Sequence, residues 1–210
     1  MIVHTIWLGS DIPIRYHSNI KTHQQLNPGF HFTHWSDNDV IKLLTEYNLL
    51  DLYYTLNFIS KFNLAKYIIL DKFGGVFTDL DIKWKKPFIQ IMNEYNFNDV
   101  DLILTHNNSI SFLDPTYQSS YIDNQSMILL DDPFIISKPG VLKKCIDYRI
   151  GRKPRIDPKT NQIHKVEPIG PFLLTDWVYY NKIKISVFGQ THNLDWNGYY
   201  GNHEQLGLWN

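Results

Sequence analysis

The stretch FGGVFTDLD, residues 73–81, joins two glycines to a short apolar run and ends on two aspartates one residue apart. The apolar run is typical of a buried strand. If the strand continued to Asp81, alternate side chains would share a face, and the carboxylates of Asp79 and Asp81 would point the same way. Such like charges suit either an exposed strand end or a cation that lies between them and an anionic ligand.

The elements around this stretch alternate between helix and strand. Apolar residues at helical spacing predict a helix over 60–73, which Gly74 and Gly75 can end. Ser36 and Asp39 form a capping-box pattern at the start of a helix that continues to residue 47. Further strands are predicted at 2–7, 30–35, 101–105, 127–130, 134–137 and 184–188, and further helices at 14–26, 143–149 and 172–180, with a long loop at 151–168. This order predicts one three-layer α/β domain whose sheet is mainly parallel early and mixed late.

Composition narrows the class of protein. The chain has 210 residues, 43% of them hydrophobic, and a formal net charge of −1, which argues against a nucleic-acid partner. The single cysteine, Cys145, allows no intrachain disulfide and indicates a reducing compartment. The N-terminus lacks the basic start of a signal peptide, and no apolar run approaches the roughly 20 residues of a membrane span. We therefore expect a soluble, cytoplasmic protein.

Asp-x-Asp alone is a weak signal, because the chain contains it at 37/39, 79/81 and 99/101. Helix capping explains the first pair, and a polar turn before a strand explains the third. Only Asp79 and Asp81 follow an apolar strand. Carboxylates of this kind share Mg²⁺ or Mn²⁺ with water and a substrate diphosphate. A solvated strand end is the alternative interpretation.

Residues 62–81, FNLAKYIILDKFGGVFTDLD, resemble the signature block of the DXD-containing glycosyltransferases of family 32, which the glucosylating clostridial toxins share. Three other segments match in order: HTIWLG at 4–9, GPFLLT at 170–175 and HEQLGLW at 203–209. The chain also resembles glycosyltransferase domains encoded by chlorella viruses. The resemblance implies a GT-A fold with a nucleotide-sugar-binding half at about 1–81 and an acceptor half with a closing C-terminal segment at about 82–210. Such a domain can be part of a larger multidomain protein.

The resemblance also implies the ligands. It implies a UDP-sugar donor and Mn²⁺ or Mg²⁺, with Asp81 on the metal and Asp79 facing both the metal and the ribose. His203 or Glu204 would be a third ligand to the metal or the diphosphate, and Trp209 would close over the donor.

The start of the chain is implied to hold the base of the donor. Thr5 and Trp7 would lie on the nucleotide, with Trp7 stacked on the uracil. An ordinary core tryptophan is the alternative for Trp7.

Two positions depart from the family pattern. Asn63 and Lys66 stand where the family usually has aspartate and arginine, which in the family hold sugar hydroxyls and phosphate or sugar oxygens. Asn63 can still hydrogen-bond a hydroxyl, and Lys66 offers a positive charge without the bidentate fork of arginine. Asp131 and Asp132, which precede Pro133, are expected to line the acceptor side, although a turn start is an alternative.

The reaction predicted from these features is metal-dependent transfer of a hexose from a UDP-sugar to a glycan or other hydroxyl acceptor, with retention. UDP-glucose is the first candidate donor, followed by UDP-rhamnose and UDP-galactose. Lys66 and His203 would assist the cation against the charge of the departing diphosphate. An inverting enzyme would need a carboxylate base, for which Asp131 and Asp132 are candidates. The alternatives are a haloacid-dehalogenase-like phosphohydrolase and a non-catalytic carbohydrate-binding module.

Overall fold

A computed structural model describes residues 1–107, 129–150, 156–157, 162–163, 169–190 and 199–203. The strands in these ranges are β1 (Ile2–Ile6), β2 (His31–Trp35), β3 (Gly75–Thr78), β4 (Ile82–Trp84), β5 (Leu102–Asn107), β6 (Leu129–Ser137), β7 (Ile156–Asp157), β8 (Gln162–Ile163), β9 (Ile185–Gln190) and β10 (Gly201–His203). The helices are α1 (His17–Leu26), α2 (Asp37–Glu46), α3 (Leu50–Thr55), α4 (Phe58–Phe73), α5 (Phe88–Glu94), α6 (Lys143–Ile150) and α7 (Pro171–Asn181), and a short 3₁₀ helix, Ile14–Tyr16, precedes α1.

The centre of the molecule is a six-stranded sheet in the order β2-β1-β3-β6-β5-β9. Strand β1 is parallel to both β2 and β3, and β9 is parallel to β5. Strand β6 is antiparallel to β3 and to β5. The mixed, mainly parallel sheet that the sequence predicts is therefore confirmed.

Each face of the sheet is covered by its own core, which gives the three layers. On one face, Phe77, Leu104 and Ile135 pack with the apolar side of α4 and with α2, α6 and α7. On the other face, Val76 and Phe134 pack with a second cluster that also contains residues of β4 and α5. Successive strand residues enter opposite cores because side chains alternate across a strand.

The junction between α4 and β3 depends on two glycines. Gly74 and Gly75 have φ angles of 60° and 98°, a region that L side chains rarely adopt. A Cβ at Gly75 would lie 2.4 Å from the carbonyl oxygen of Ile2, and one at Gly74 would lie 2.8 Å from Cδ of Pro139. The glycines therefore let the chain leave the helix and enter the sheet directly beside β1.

Several boundaries differ from the sequence prediction. The strand predicted to run to Asp81 ends at Thr78, and the two strands predicted over 127–130 and 134–137 form one strand, β6, within the described residues. The elements α3, α5, β4 and β10 were missed because they are short and have no long apolar period. In the predicted loop over 151–168 the structure describes only β7 and β8, which pair antiparallel. The capping box at Ser36 and Asp39 is confirmed.

Among the described residues, no helix combines the length and the apolar character needed to cross a membrane.

Replacing Gly75 with alanine should lower the free energy of unfolding by about 1–3 kcal/mol or more, since the new Cβ meets a backbone oxygen in a strained conformation. Gly29→Ala is the matched control, because a Cβ there would meet nothing within 4 Å. Urea denaturation of both variants measures the difference. Equal stability of the two variants would show that β3 does not need glycine at this position.

Candidate active site

The two aspartates of the motif lie in a turn between β3 and β4. The amide of Asp79 donates to the carbonyl of Pro133 at 2.9 Å, which is the last hydrogen bond along this edge of β3. The amide of Ile82 then donates to the carbonyl of Asp79 at 3.4 Å and closes the turn. The prediction that strand alternation brings the two carboxylates together is therefore wrong. The turn between β3 and β4 brings them together instead.

The site lies at the carboxyl ends of parallel strands. His4 of β1 pairs with Phe77 of β3, so the residues that follow both strands emerge at the same edge of the sheet. Trp7 follows β1 as Asp79 follows β3. Ligands of open α/β sheets bind at such edges.

Strand β10 brings a third polar group to the turn. It pairs antiparallel with β4, and His203 is opposite Ile82. The Nε2 atom of His203 lies 3.2 Å from Oδ1 of Asp81. One ligand atom each from Asp79, Asp81 and His203 lies within 4.8 Å of the others.

The charges of this cluster are strongly coupled. Burial raises the pKa of Asp79 to about 7, and the charge of Asp81 adds to the rise, while Lys66 opposes it. Burial alone would lower the pKa of His203, but the hydrogen bond and charge of Asp81 outweigh it, and the net pKa is raised. The imidazolium is therefore a partial substitute for a cation beside the carboxylates.

The three groups fit a divalent cation. Within the described part of the chain, Oδ1 of Asp79 is buried and has no hydrogen-bond partner, so an acceptor is open toward the cluster. Two carboxylates and one imidazole are ligands that Mn²⁺ accepts, whereas Mg²⁺ favours oxygen ligands and keeps several waters. A cation there would also offset the burial and the charge of Asp81, which together raise the pKa of Asp79.

Lys66 lies beneath the cluster in a buried ion pair. Its Nζ donates to the backbone carbonyl of Asp132 at 2.7 Å and lies 3.2 Å from Oδ1 of the same residue. Tyr67 donates its hydroxyl proton to Oδ2 of Asp132 at 2.6 Å. Both partners reach Asp132 because β6 is irregular there: its pairing with β5 shifts from Leu104↔Ile135 to Thr105↔Asp131. Lys66 is only 2% exposed, so its charge acts on the site from within the protein.

Asp131 and Asn63 flank this buried pair. The negative charge of Asp131 contributes to the raised pKa of His203, and one Asp131 carboxylate oxygen accepts the amide of Asp132 at 3.0 Å. The side-chain amide of Asn63 donates to the carbonyl of Ile169 at 3.1 Å, immediately before α7. The assignment of Asp131 and Asp132 to the acceptor side stays a prediction.

The residues expected to hold the nucleotide lie at the end of β1. The Thr5 hydroxyl is buried and hydrogen-bonded to the ring of His34. Trp7 is half-buried, its Nε1 donates to Oγ of Ser10 at 3.0 Å, and its ring centre lies 5.3 Å from that of Tyr16. Glu204 and Trp209, predicted as a metal ligand and as a closing residue, lie outside the described residues.

Sequence reasoning missed three buried residues around the motif. Tyr67 supports Asp132, and Asn19 and His23 of α1 donate to carbonyls on either side of Asp81. The available signal was their spacing, because polar residues four apart on the predicted helix over 14–26 share one face.

Comparisons with known proteins agree with this geometry. The family model described as "Glycosyltransferase sugar-binding region containing DXD motif" matches residues 13–98, which include Asp79 and Asp81. Inositol phosphoceramide mannosyltransferase 1 of Schizosaccharomyces pombe is 29% identical over 102 residues, which are 46% of this chain and 32% of the relative. The chain thus matches about a third of the length of that relative.

Among solved structures, the PaToxG glycosyltransferase superposes with a TM-score of 0.55 at 12% sequence identity, over 86% of this chain and 69% of the other. This likeness confirms the α/β fold of GT-A type. The match to a DXD-containing glycosyltransferase sugar-binding region favours the glycosyltransferase interpretation over the phosphohydrolase and the binding module that the sequence left open.

Asp79→Asn should stabilise the metal-free protein at pH 8. The folded-state pKa of Asp79, about 7, lies above its ordinary value of 3.8, so the protein favours the protonated form and loses stability as the pH rises from about 4 to 7. Asparagine removes this loss, and we expect a gain on the order of 2 kcal/mol at pH 8 in EDTA and a smaller gain at pH 5.

Urea denaturation at both pH values measures this gain. Asp101→Asn is the control: Leu102 and Gly75 both pair with Ser137, so Asp101 lies at the far end of the sheet from the turn. A gain for Asp79→Asn that does not change with pH would contradict the electrostatic explanation.

Proposed function

We propose that this chain, which carries a DXD-type glycosyltransferase sugar-binding region on a GT-A-like fold, transfers a hexose from a UDP-sugar to a hydroxyl acceptor with the aid of a divalent cation. The observation that supports the proposal most directly is the convergence of Asp79, Asp81 and His203 within 4.8 Å at the carboxyl edge of the sheet. Oxygen-rich sites of this kind bind cations that in turn bind phosphate groups.

The three side chains have separate tasks in this proposal. Asp81 and His203, which already contact each other, would hold the cation from the side of β4 and β10. Asp79 would hold it from the end of β3 and face the donor. When bound there, the cation supplies positive charge beside the oxygens of the departing diphosphate.

Lys66 adds a fixed positive charge behind Asp79. Its ion pair with Asp132 and its position 4.8 Å from the centre of the Phe77 ring hold it in the interior. A charge that is already oriented needs no rearrangement when the leaving group becomes negative. We therefore assign Lys66 an electrostatic task instead of a direct grip on the sugar.

We propose that the donor binds at the same edge of the sheet. Trp7, at the same edge as Asp79, offers a half-exposed aromatic face for uracil, and Thr5 lies two residues before it. UDP-glucose is the first candidate. Asn63 would read the sugar through its carbonyl oxygen, because its amide group is bonded to Ile169. The name of the S. pombe relative adds a mannose nucleotide to the donors worth testing.

The proposed acceptor is a glycan or another hydroxyl compound. Compounds with inositol hydroxyls are added to the acceptors to be tested, because the name of the S. pombe relative contains inositol.

Retention of configuration is the proposed outcome. The surroundings of Asp131 and Asp132 argue against either residue as the base of an inverting enzyme. Asp132 is bonded to Lys66 and Tyr67, and Asp131 is 9% exposed. A general base must reach the acceptor proton, directly or through one water.

UDP should stabilise the protein much more with Mn²⁺ than with EDTA. Binding of a ligand at 100 times its dissociation constant adds about 2.7 kcal/mol, which a thermal-denaturation experiment detects easily. GDP and ADP serve as base controls, and Asp81→Ala serves as the site control. If UDP stabilises the protein equally with and without metal, the cation does not join the protein to the diphosphate.

Asp81→Ala should lower the rate of sugar transfer, or of UDP-sugar hydrolysis, by roughly 100-fold or more, because it removes a cation ligand next to the leaving group. The matched variant is Asp101→Ala, which has the same Asp-x-Asp context at the other end of the sheet and should keep most of the activity. Initial rates with UDP-glucose and Mn²⁺ decide between the two pairs, and similar losses in both variants would refute the choice of Asp79 and Asp81.

A further inference from the structure

Helix α1 carries a row of polar side chains on the face that packs against the motif. Asn19 and His23 lie within α1 and Asn27 directly follows its last residue; the three are spaced four residues apart and are 2%, 1% and 2% exposed. Residues at this spacing lie above one another on one side of a helix. Burying three polar groups in a row costs free energy unless each forms hydrogen bonds.

Each member of this row bonds to the segment that contains or follows the motif. Nδ2 of Asn19 donates to the carbonyl of Leu80, and Nε2 of His23 donates to the carbonyl of Ile82, both at 2.8 Å. Oδ1 of Asn27 accepts the amide of Phe88 at 2.7 Å. The first two bonds hold the carbonyls of the residues before and after Asp81.

The protonation state of His23 is fixed by its surroundings. Burial lowers its pKa to about 4, although the bond to Ile82 opposes the change, so the ring is neutral at physiological pH. A neutral ring has one N–H, and because a carbonyl can only accept, Nε2 carries it. Within the described residues, Nδ1 is buried without a hydrogen-bond partner. Burial of the ring therefore costs free energy, and the hydrogen bond to the carbonyl of Ile82 offsets part of that cost.

We infer that Asn19 and His23 are positioning residues for the cation site. By fixing the carbonyls of Leu80 and Ile82, they set the direction in which Asp81 leaves the turn. Ile82 also lies opposite His203 in the pairing of β4 with β10, so the same bond steadies the strand against which the third ligand is held. The inference rests on the proposed cation site.

Two amide substitutions at one position separate this role from general stability. In His23→Gln, the side-chain nitrogen can occupy the place of Nε2 and donate to Ile82. In His23→Asn, the shorter side chain reaches only the place of Nδ1. Both replace an aromatic ring by a small amide, so the loss of packing is similar. Thr22→Ala on the same helix is the control, because its hydroxyl donates to the carbonyl of Ser18 within α1.

The first measurement is the dissociation constant of Mn²⁺, obtained from the signal of free Mn²⁺ in a titration. Loss of a bond that supports a metal ligand commonly costs about 10–100-fold in affinity. We expect His23→Asn to weaken binding by about tenfold or more, and His23→Gln and Thr22→Ala to stay within about threefold of the wild type. Equal affinities of the Asn and Gln variants would overturn the inference.

The second measurement needs no metal. The amide of Ile82 closes the turn on Asp79, and its hydrogen exchange in EDTA reports how firmly the turn is held. Exchange should be faster in His23→Asn than in His23→Gln, and equal rates would contradict the positioning role. A wild type that binds no Mn²⁺ would refute the proposed cation site, whereas the exchange rates would still decide whether His23 holds the turn.

Discussion

The repulsion between the carboxylates of Asp79 and Asp81 is the constraint on which the arrangement of this site depends. Two negative charges on one tight turn, partly withdrawn from water, destabilise the fold unless positive charge is near. Three features of the structure bear on this requirement for positive charge. His203 contacts Asp81 directly, Lys66 lies beneath Asp79, and the turn leaves an acceptor oxygen open toward the cluster. A bound cation would supply further positive charge beside the two carboxylates.

The same part of the chain builds both the core and the site. Along α4, apolar side chains such as Tyr67 and Ile68 are fully buried, and the preceding residue, Lys66, is also buried, below the motif. The glycines after the helix then turn the chain into β3 with no spare residue. Because helix, glycines and strand are continuous, a change in the packing of α4 shifts the charge of Lys66 relative to Asp79. Stability and chemistry are therefore difficult to alter separately here.

Local patterns predicted the sheet and the motif but not the contacts that cross the fold. The proximity of Asp79 and Asp81 was predicted from a wrong cause, because both a strand and a turn can place the side chains of residues two apart on the same side. Asn19 and His23 were not predicted, because their spacing shows that they share a face of α1 but not that this face packs on Leu80 and Ile82. Lys66 was expected to contact the donor, and its partner Asp132 is supplied by an irregularity in β6. Pro133 indicates a break in the strand but not which side chain the break brings to Lys66. His203 was found through resemblance, not through spacing.

The pairing of β4 with β10 has a consequence for the chain as a polymer. It joins a segment near the middle of the sequence to one that follows residue 200, and the candidate cation ligands lie on both sides of that join. A cation held by Asp81 and His203 would link the two segments only while the chain is folded, so it would stabilise the folded state by mass action. The single cysteine cannot provide such a link within these residues. In this chain, metal supply would then set how firmly β10 stays attached to β4, whereas a disulfide keeps its two segments joined even after unfolding.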